Sequence, residues 1–156
     1  MTASLLAVNG LSKRFGGFTA LDDISLQVMA GERLGLIGPN GSGKTTLVNC
    51  ISGTVPISAG SVTLDDRRID GLPPHQRARL GLVRSFQLPR PFGSLTVADN
   101  LRVAMVYAGR TGGVRTPELL EMVGLKGKAD RLPRELTQIE MRKLELARAM
   151  AATPRL

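Results

Sequence analysis

The sequence predicts an α/β chain built around a phosphate-binding loop, on three observations. A glycine-rich run with a lysine and two threonines, Gly38-Pro39-Asn40-Gly41-Ser42-Gly43-Lys44-Thr45-Thr46, follows the apolar stretch Leu34-Gly35-Leu36-Ile37. It opens directly into Leu47-Val48-Asn49-Cys50-Ile51, a helical continuation. Around this strand–loop–helix unit, alternating strand patterns fill the first third of the chain and helix patterns fill the last third. The expected architecture mixes an antiparallel β-ribbon with one strand–loop–helix unit, followed by helices.

The elements follow in order. Leu5-Leu6-Ala7-Val8 is a short strand ended by Asn9-Gly10, and Ile24, Leu26 and Val28 alternate with polar neighbours as a half-buried strand. Ala30-Gly31-Glu32 turns, Arg33 to Ile37 is the strand into the loop, and Lys44 to Ser52 is a helix closed by Gly53. Gly60 to Leu64 is a strand and Asp65-Asp66 a turn. Pro73-Pro74 starts a short basic helix through Leu80, and Gly81 to Phe86 returns as a strand. Leu88 to Gly93 is irregular, because two prolines and a glycine interrupt it. Thr96 caps a helix to about Tyr107, with Asp99 in its first turn. Gly109 to Thr116 is a loop, and Thr116-Pro117-Glu118 caps a helix ended by Gly124. Thr137-Gln138-Ile139-Glu140 is a capping box opening a last helix to about Ala152.

In the loop, the glycines let successive backbone N–H groups turn inward toward phosphate oxygens. The helix that follows presents unpaired N–H groups and the positive end of its dipole to the same anion. Lys44 reaches the β- and γ-phosphates, the Thr45 hydroxyl takes a position on Mg²⁺, and Thr46 adds a phosphate donor.

Composition excludes several classes. At 156 residues the chain is long enough for a core, and 42% hydrophobic with 22% charged residues is ordinary for a globular protein. Only 3% are aromatic, so the core is expected to be aliphatic. No apolar run reaches the roughly 20 residues of a membrane span, and no basic region precedes a long apolar stretch as a secretory signal does. Cys50, the single cysteine, rules out an internal disulfide and is expected as a small core residue. His75 is expected on a solvated helix face. Net charge is +8, but the basic residues are scattered and none interleave with aromatics as a base-stacking platform, so nucleic acid is not an expected partner.

The loop, preceded by Gly31-Glu32 and a strand, resembles that of the nucleotide-binding subunits of ABC transporters. Lys13-Arg14-Phe15-Gly16-Gly17 is similar to the family's aromatic loop, which implies Phe15 as the ring stacking on adenine; taken alone, Phe15 also reads as a core anchor under the first strand. Arg84-Ser85-Phe86-Gln87 is similar to the glutamine loop, whose Gln reaches Mg²⁺ and the attacking water. A neutral group that both donates and accepts suits that task. Phe92 and Leu95 to Leu101 resemble the start of the helical subdomain that docks on the membrane subunit, here about 88–140 of a single domain 1–156. The wording around Phe15 and Gln87 is most similar to importers of branched-chain amino acids and related amides.

The resemblance implies an α/β P-loop NTPase of ABC type, with an antiparallel β subdomain, a parallel core sheet and a helical subdomain, that binds ATP and Mg²⁺. Lys44 and Gln87 would be its catalytic groups, Thr45 and Gln87 its metal ligands, and Phe15, residues Gly38 through Thr46 and Thr137 its nucleotide contacts. It further implies transmembrane permease subunits and a second ATP-binding subunit as partners, at the cytoplasmic face of the membrane.

Two departures qualify it. Where the family signature has Leu-Ser-Gly-Gly-Gln, this chain has Leu136-Thr137-Gln138-Ile139-Glu140. The β-branched Ile139 hinders close backbone approach, and Glu140 carries negative charge toward a polyanion. Two readings stand: a weak signature paired with a better-equipped subunit, or compensation by the capping box and neighbouring basic residues. The second departure is the end at Leu156. The family's next strand, ending in Asp-Glu, and its later switch histidine have no counterpart, so the fold is expected to be incomplete at the C-terminus, with open apolar strand edges. Hydrolysis by this chain alone is then not expected, and a non-catalytic nucleotide-binding fragment or regulatory subunit beside a competent ATPase is the alternative.

Overall fold

The computed structural model describes residues 4–108 and 115–156. They fall into two compact units, 1–80 with Leu156 and 81–155.

The first unit is built on a four-stranded antiparallel sheet. Strands β1 (Ser4–Phe15), β2 (Phe18–Met29), β3 (Ala59–Leu64) and β4 (Arg67–Arg68) lie in the order β2-β1-β3-β4. β1 does not stop at Asn9-Gly10 as its sequence suggests. Gly10 has φ +59°, and the pairing register with β2 shifts between Val8 and Leu11. This bulge lets Val8 and Leu11, three residues apart, both be buried, so the strand continues with its apolar phase reset. Opposite the bulge, a side chain on Gly60 would stand 2.4 Å from the Gly10 carbonyl oxygen, so only glycine allows the two backbones to meet there. Phe15 and Phe18 pair across Gly16-Gly17 at the end of the hairpin. Asp65 and Asp66, at φ +52° and +61°, form the tight turn to β4, a strand too short to stand out in the sequence.

Helix α1 (Lys44–Ser52) has the predicted limits, with Gly53 in the left-handed region at its end. Helix α2 (Pro74–Arg79) begins with a proline in its first turn, and His75 on it is exposed. Cys50 is fully buried, as expected. Arg33 to Ile37, expected as a strand, forms no ladder. Its backbone has no strand beside it among the described residues, and Ile37 is 98% exposed. An apolar run becomes a strand only when its N–H and C=O groups find a partner.

Arg77, in the helix read from sequence as short and basic, is 2% exposed. Its guanidinium donates to the carbonyls of Leu72 (2.8 Å), Cys50 (2.9 Å), Ile51 (2.8 Å) and Asp70 (2.8 Å). Cys50 and Ile51 lie in the last turn of α1, where carbonyls have no partner further along the helix; the Gly53 N–H donates to Cys50 at 3.2 Å, and Arg77 with it closes that end.

The second unit is helical. It contains α3 (Val97–Ala108), α4 (Thr116–Met122), a 3-10 turn (Pro133–Glu135) and α5 (Gln138–Ala151). Val97, Leu101, Leu119, Leu120, Val123, Leu125, Leu144, Ala147 and Ala151 form its core, which is aliphatic throughout. Gly81 to Phe86, also expected as a strand, runs here without ladder pairing. α4 begins one residue earlier than its Thr-Pro-Glu pattern suggests. Arg115 is the cap residue, its N–H donating to Glu118 Oε2 at 3.4 Å, and Thr116 is already helical. Of the predicted 109–116 loop, residues 109–114 lie outside the described residues. Asn100, fully buried, accepts from the Phe92 N–H and donates to the carbonyls of Phe92, Leu95 and Thr96, tying the irregular segment to α3.

Candidate functional site: the phosphate loop and its surroundings

The loop is shaped by close contacts at two glycines. A Cβ on Gly38 would stand 2.7 Å from Ser42 Oγ, and one on Gly43 would meet Leu21 Cδ2 at 2.8 Å and the Ala20 carbonyl at 3.0 Å. Gly43 also has φ +87° and is the N-cap of α1. The loop is thereby pressed against β2 just where the helix starts. No side chain caps α1, and its first turn contains no acidic residue. The N–H groups at this end are left for an incoming anion.

Lys44 lies in the first turn. Its ammonium donates to the Gly38 carbonyl at 2.6 Å, the Pro39 carbonyl at 2.7 Å and Ser42 Oγ at 3.2 Å. All three protons of the lysine are used within the loop, which holds the cation over the loop's interior. Thr45 is exposed and Thr46 half-buried. The donor set is therefore one lysine, two threonine hydroxyls, Ser42 and backbone N–H groups, with no carboxylate among residues 38–46. That set fits a nucleotide polyphosphate: Lys44 and the helix N-terminus for phosphate oxygens, the Thr45 hydroxyl for Mg²⁺.

Phe15 belongs to the same unit. It stands at the end of the β1–β2 hairpin and is 48% exposed, so it is not a core anchor. Ala20 and Leu21, which contact Gly43, lie a few residues along β2 from its partner Phe18. The hairpin end and the loop are thus neighbours through β2.

Gln87 and Thr137 belong to the second unit. Gln87 is exposed in a bend after the Gly81–Phe86 stretch. Thr137 is the N-cap of α5: its hydroxyl accepts from the Glu140 N–H at 3.3 Å, and Glu140 Oε2 accepts from the Thr137 N–H at 2.9 Å, the predicted capping box. Lys128 donates to the other Glu140 oxygen. The Lys128 bond first, and then the Thr137 N–H, hold the Glu140 carboxyl at about 2, well below its ordinary 4.5. The carboxylate is therefore tied to its own segment on both oxygens, while the neighbouring Ile139 is exposed.

A folded-state value below the unfolded one means stability that is complete above about pH 4.5 and lost as pH falls toward 2. The difference in melting temperature between the native chain and Glu140→Gln is expected to be constant above pH 5 and to shrink between pH 4.5 and 2. Parallel melting profiles through that window would contradict the arrangement.

Comparison with known proteins agrees with this geometry. Residues 21–156 match the family model described as ABC transporter. The chain is 41% identical over 172 residues to the high-affinity branched-chain amino acid transport ATP-binding protein LivG of Salmonella typhimurium, covering 99% of this chain and 68% of LivG. It is also 41% identical over 159 residues to the Fe(3+) ions import ATP-binding protein FbpC of Streptomyces coelicolor, covering 100% of this chain and 45% of that protein. Among solved structures it is similar to an ABC transporter's ATP-binding cassette in its ADP conformation, with a TM-score of 0.84 and 31% identity over 98% of this chain and 66% of that one. With the loop, its helix and nearly the whole length accounted for, the chain belongs to the ABC transporter family.

Proposed function

We propose that the chain is an ATP-binding, energy-coupling subunit of an ABC importer, or the nucleotide-holding part of one, serving branched-chain amino acids or related amides. The observation that carries this reading is the carboxylate-free loop Gly38–Thr46, with Lys44 at the uncapped N-terminus of α1. Lys44, Thr46 and the first-turn N–H groups hold the phosphates, the Thr45 hydroxyl holds Mg²⁺, and Phe15 stacks on the base. When bound, Mg²⁺ neutralises phosphate charge and polarises the transferring phosphoryl group. Gln87 is assigned to the metal and the attacking water, and Thr137 to the γ-phosphate held by an opposed subunit. The two units are read as one nucleotide-binding domain, 1–156, with a helical part at about 88–140. Its partners are transmembrane permease subunits and a second ATP-binding subunit, with the chain peripheral at the cytoplasmic face; no helix among the described residues is long and apolar enough to cross a membrane.

The substrate assignment is supported by the resemblance to LivG, although an iron importer's subunit matches with equal identity. A second reading, a non-catalytic or regulatory subunit beside a competent ATPase, is favoured by Ile139 and the anionic Glu140 at the start of α5.

The test is co-expression with the permease of a branched-chain amino acid importer and that importer's other ATP-binding subunit. The chain is expected to copurify with them and to support leucine uptake that Lys44→Ala abolishes. Copurification with uptake indifferent to Lys44→Ala would favour the second reading. Failure to associate with the permease would contradict the importer assignment.

A further inference from the structure

Burial along β1 falls off toward the hairpin. Leu11 is fully buried, Lys13 is 8% exposed and Phe15 is half-exposed. A lysine with a buried stem ordinarily carries its ammonium to a carboxylate, a carbonyl or water. No carboxylate pairs with Lys13 among the described residues. Its Nζ lies over the ring of Phe15, 4.8 Å from the centroid. The negative face of the ring takes the place of an anion.

The position of this pair is informative. Lys13 is opposite Leu21 in the β1–β2 ladder, and Leu21 packs on Gly43, the N-cap of α1. Cation, ring and the start of the phosphate loop thus share one corner of the first unit. With one ring face held by the ammonium, the exposed remainder offers a single stacking surface. A ring oriented in advance costs less to order when a base arrives.

We propose that Lys13 is a positioning residue for nucleotide-base binding: its ammonium holds one face of Phe15 and presents the other to a purine base. The inference rests on the reading of Phe15 as the base-stacking ring. It assigns Lys13 no contact with the phosphates, which separates it from Lys44.

The experiment measures dissociation constants of the purified chain for MgADP and for magnesium tripolyphosphate, which has phosphates but no base. Lys13→Met keeps the unbranched stem and removes the charge; Lys13→Arg keeps a cation that can lie over the ring. Lys13→Met is expected to weaken MgADP binding about three- to ten-fold and to leave tripolyphosphate within about two-fold. Lys13→Arg is expected to restore MgADP to within about two-fold. Should the Met variant not be recovered folded, Lys13→Gln replaces it with the same expectation. Unchanged MgADP affinity overturns the proposal. So does equal weakening of both ligands, which is what a merely structural lysine would give. Phe15→Ala keeps the two readings apart. Unchanged MgADP affinity in that variant overturns the stacking reading itself. Weakened binding there, with native affinity in Lys13→Met, overturns only the role of Lys13. A native chain that binds neither ligand overturns both.

Discussion

Arg77→Met is expected to lower the free energy of unfolding by about 3–5 kcal/mol, measured by urea denaturation. Four carbonyls receive hydrogen bonds from this one guanidinium, at 2.8 to 2.9 Å, and two of them are in the last turn of α1. Met donates nothing, so the part-buried carbonyls of Leu72, Ile51 and Asp70 would lose this donor, and Cys50 would keep only the Gly53 N–H at 3.2 Å. Each unsatisfied acceptor costs on the order of 1–3 kcal/mol, reduced where water can enter as the site relaxes. Gly53 lies so close to the guanidinium that a Cβ there would stand 2.6 Å from Nε, which leaves little space for rearrangement. Arg77→Lys is expected to recover only part of the loss, because an ammonium cannot reproduce the planar fork. A change below about 1 kcal/mol for Arg77→Met would show that the carbonyls find other partners.

Lys44→Ala is expected to weaken MgATP binding about 30- to 100-fold, the range of one or two charge-assisted hydrogen bonds removed from a polyphosphate. The ammonium donates to two loop carbonyls and to Ser42, so phosphate oxygens must replace some of those bonds on binding. The carbonyls it leaves are exposed and can turn to water. Thermal stability is therefore expected to stay within about 0.5 kcal/mol of native, as for an ordinary surface substitution. Loss of affinity without loss of stability is the signature of a ligand-holding lysine.

The features read correctly from sequence are those with local physical causes. The limits of α1, the left-handed Gly53 and the reciprocal Thr137–Glu140 cap each depend on residues within a few positions of one another. The features that sequence missed depend on distant partners. Arg77 reads from sequence only as one residue of a short basic helix, yet the carbonyls it binds lie as far back as Cys50. Asn100 gives no sign in its neighbours that it gathers the backbone of Phe92 to Thr96. The Gly10 bulge reads as a strand end because a residue in the left-handed region breaks the alternation, although the ladder continues to Phe15. Arg33 to Ile37 and Gly81 to Phe86 fail in the opposite sense, since an apolar run cannot show whether a neighbouring strand is there to pair with it. Within the site, residue types and spacing identified the loop. That Phe15 is exposed with Lys13 across its ring required the hairpin register and the burial of β1.

The central claim is that Gly38–Thr46 holds nucleotide phosphates, and calorimetric titration of the purified chain with MgATP, beside Lys44→Ala, tests it most directly. The prediction is one nucleotide per chain, with binding largely lost in the variant while both proteins melt at the same temperature. Equal affinity in the two proteins, or no binding by the native chain, would contradict it.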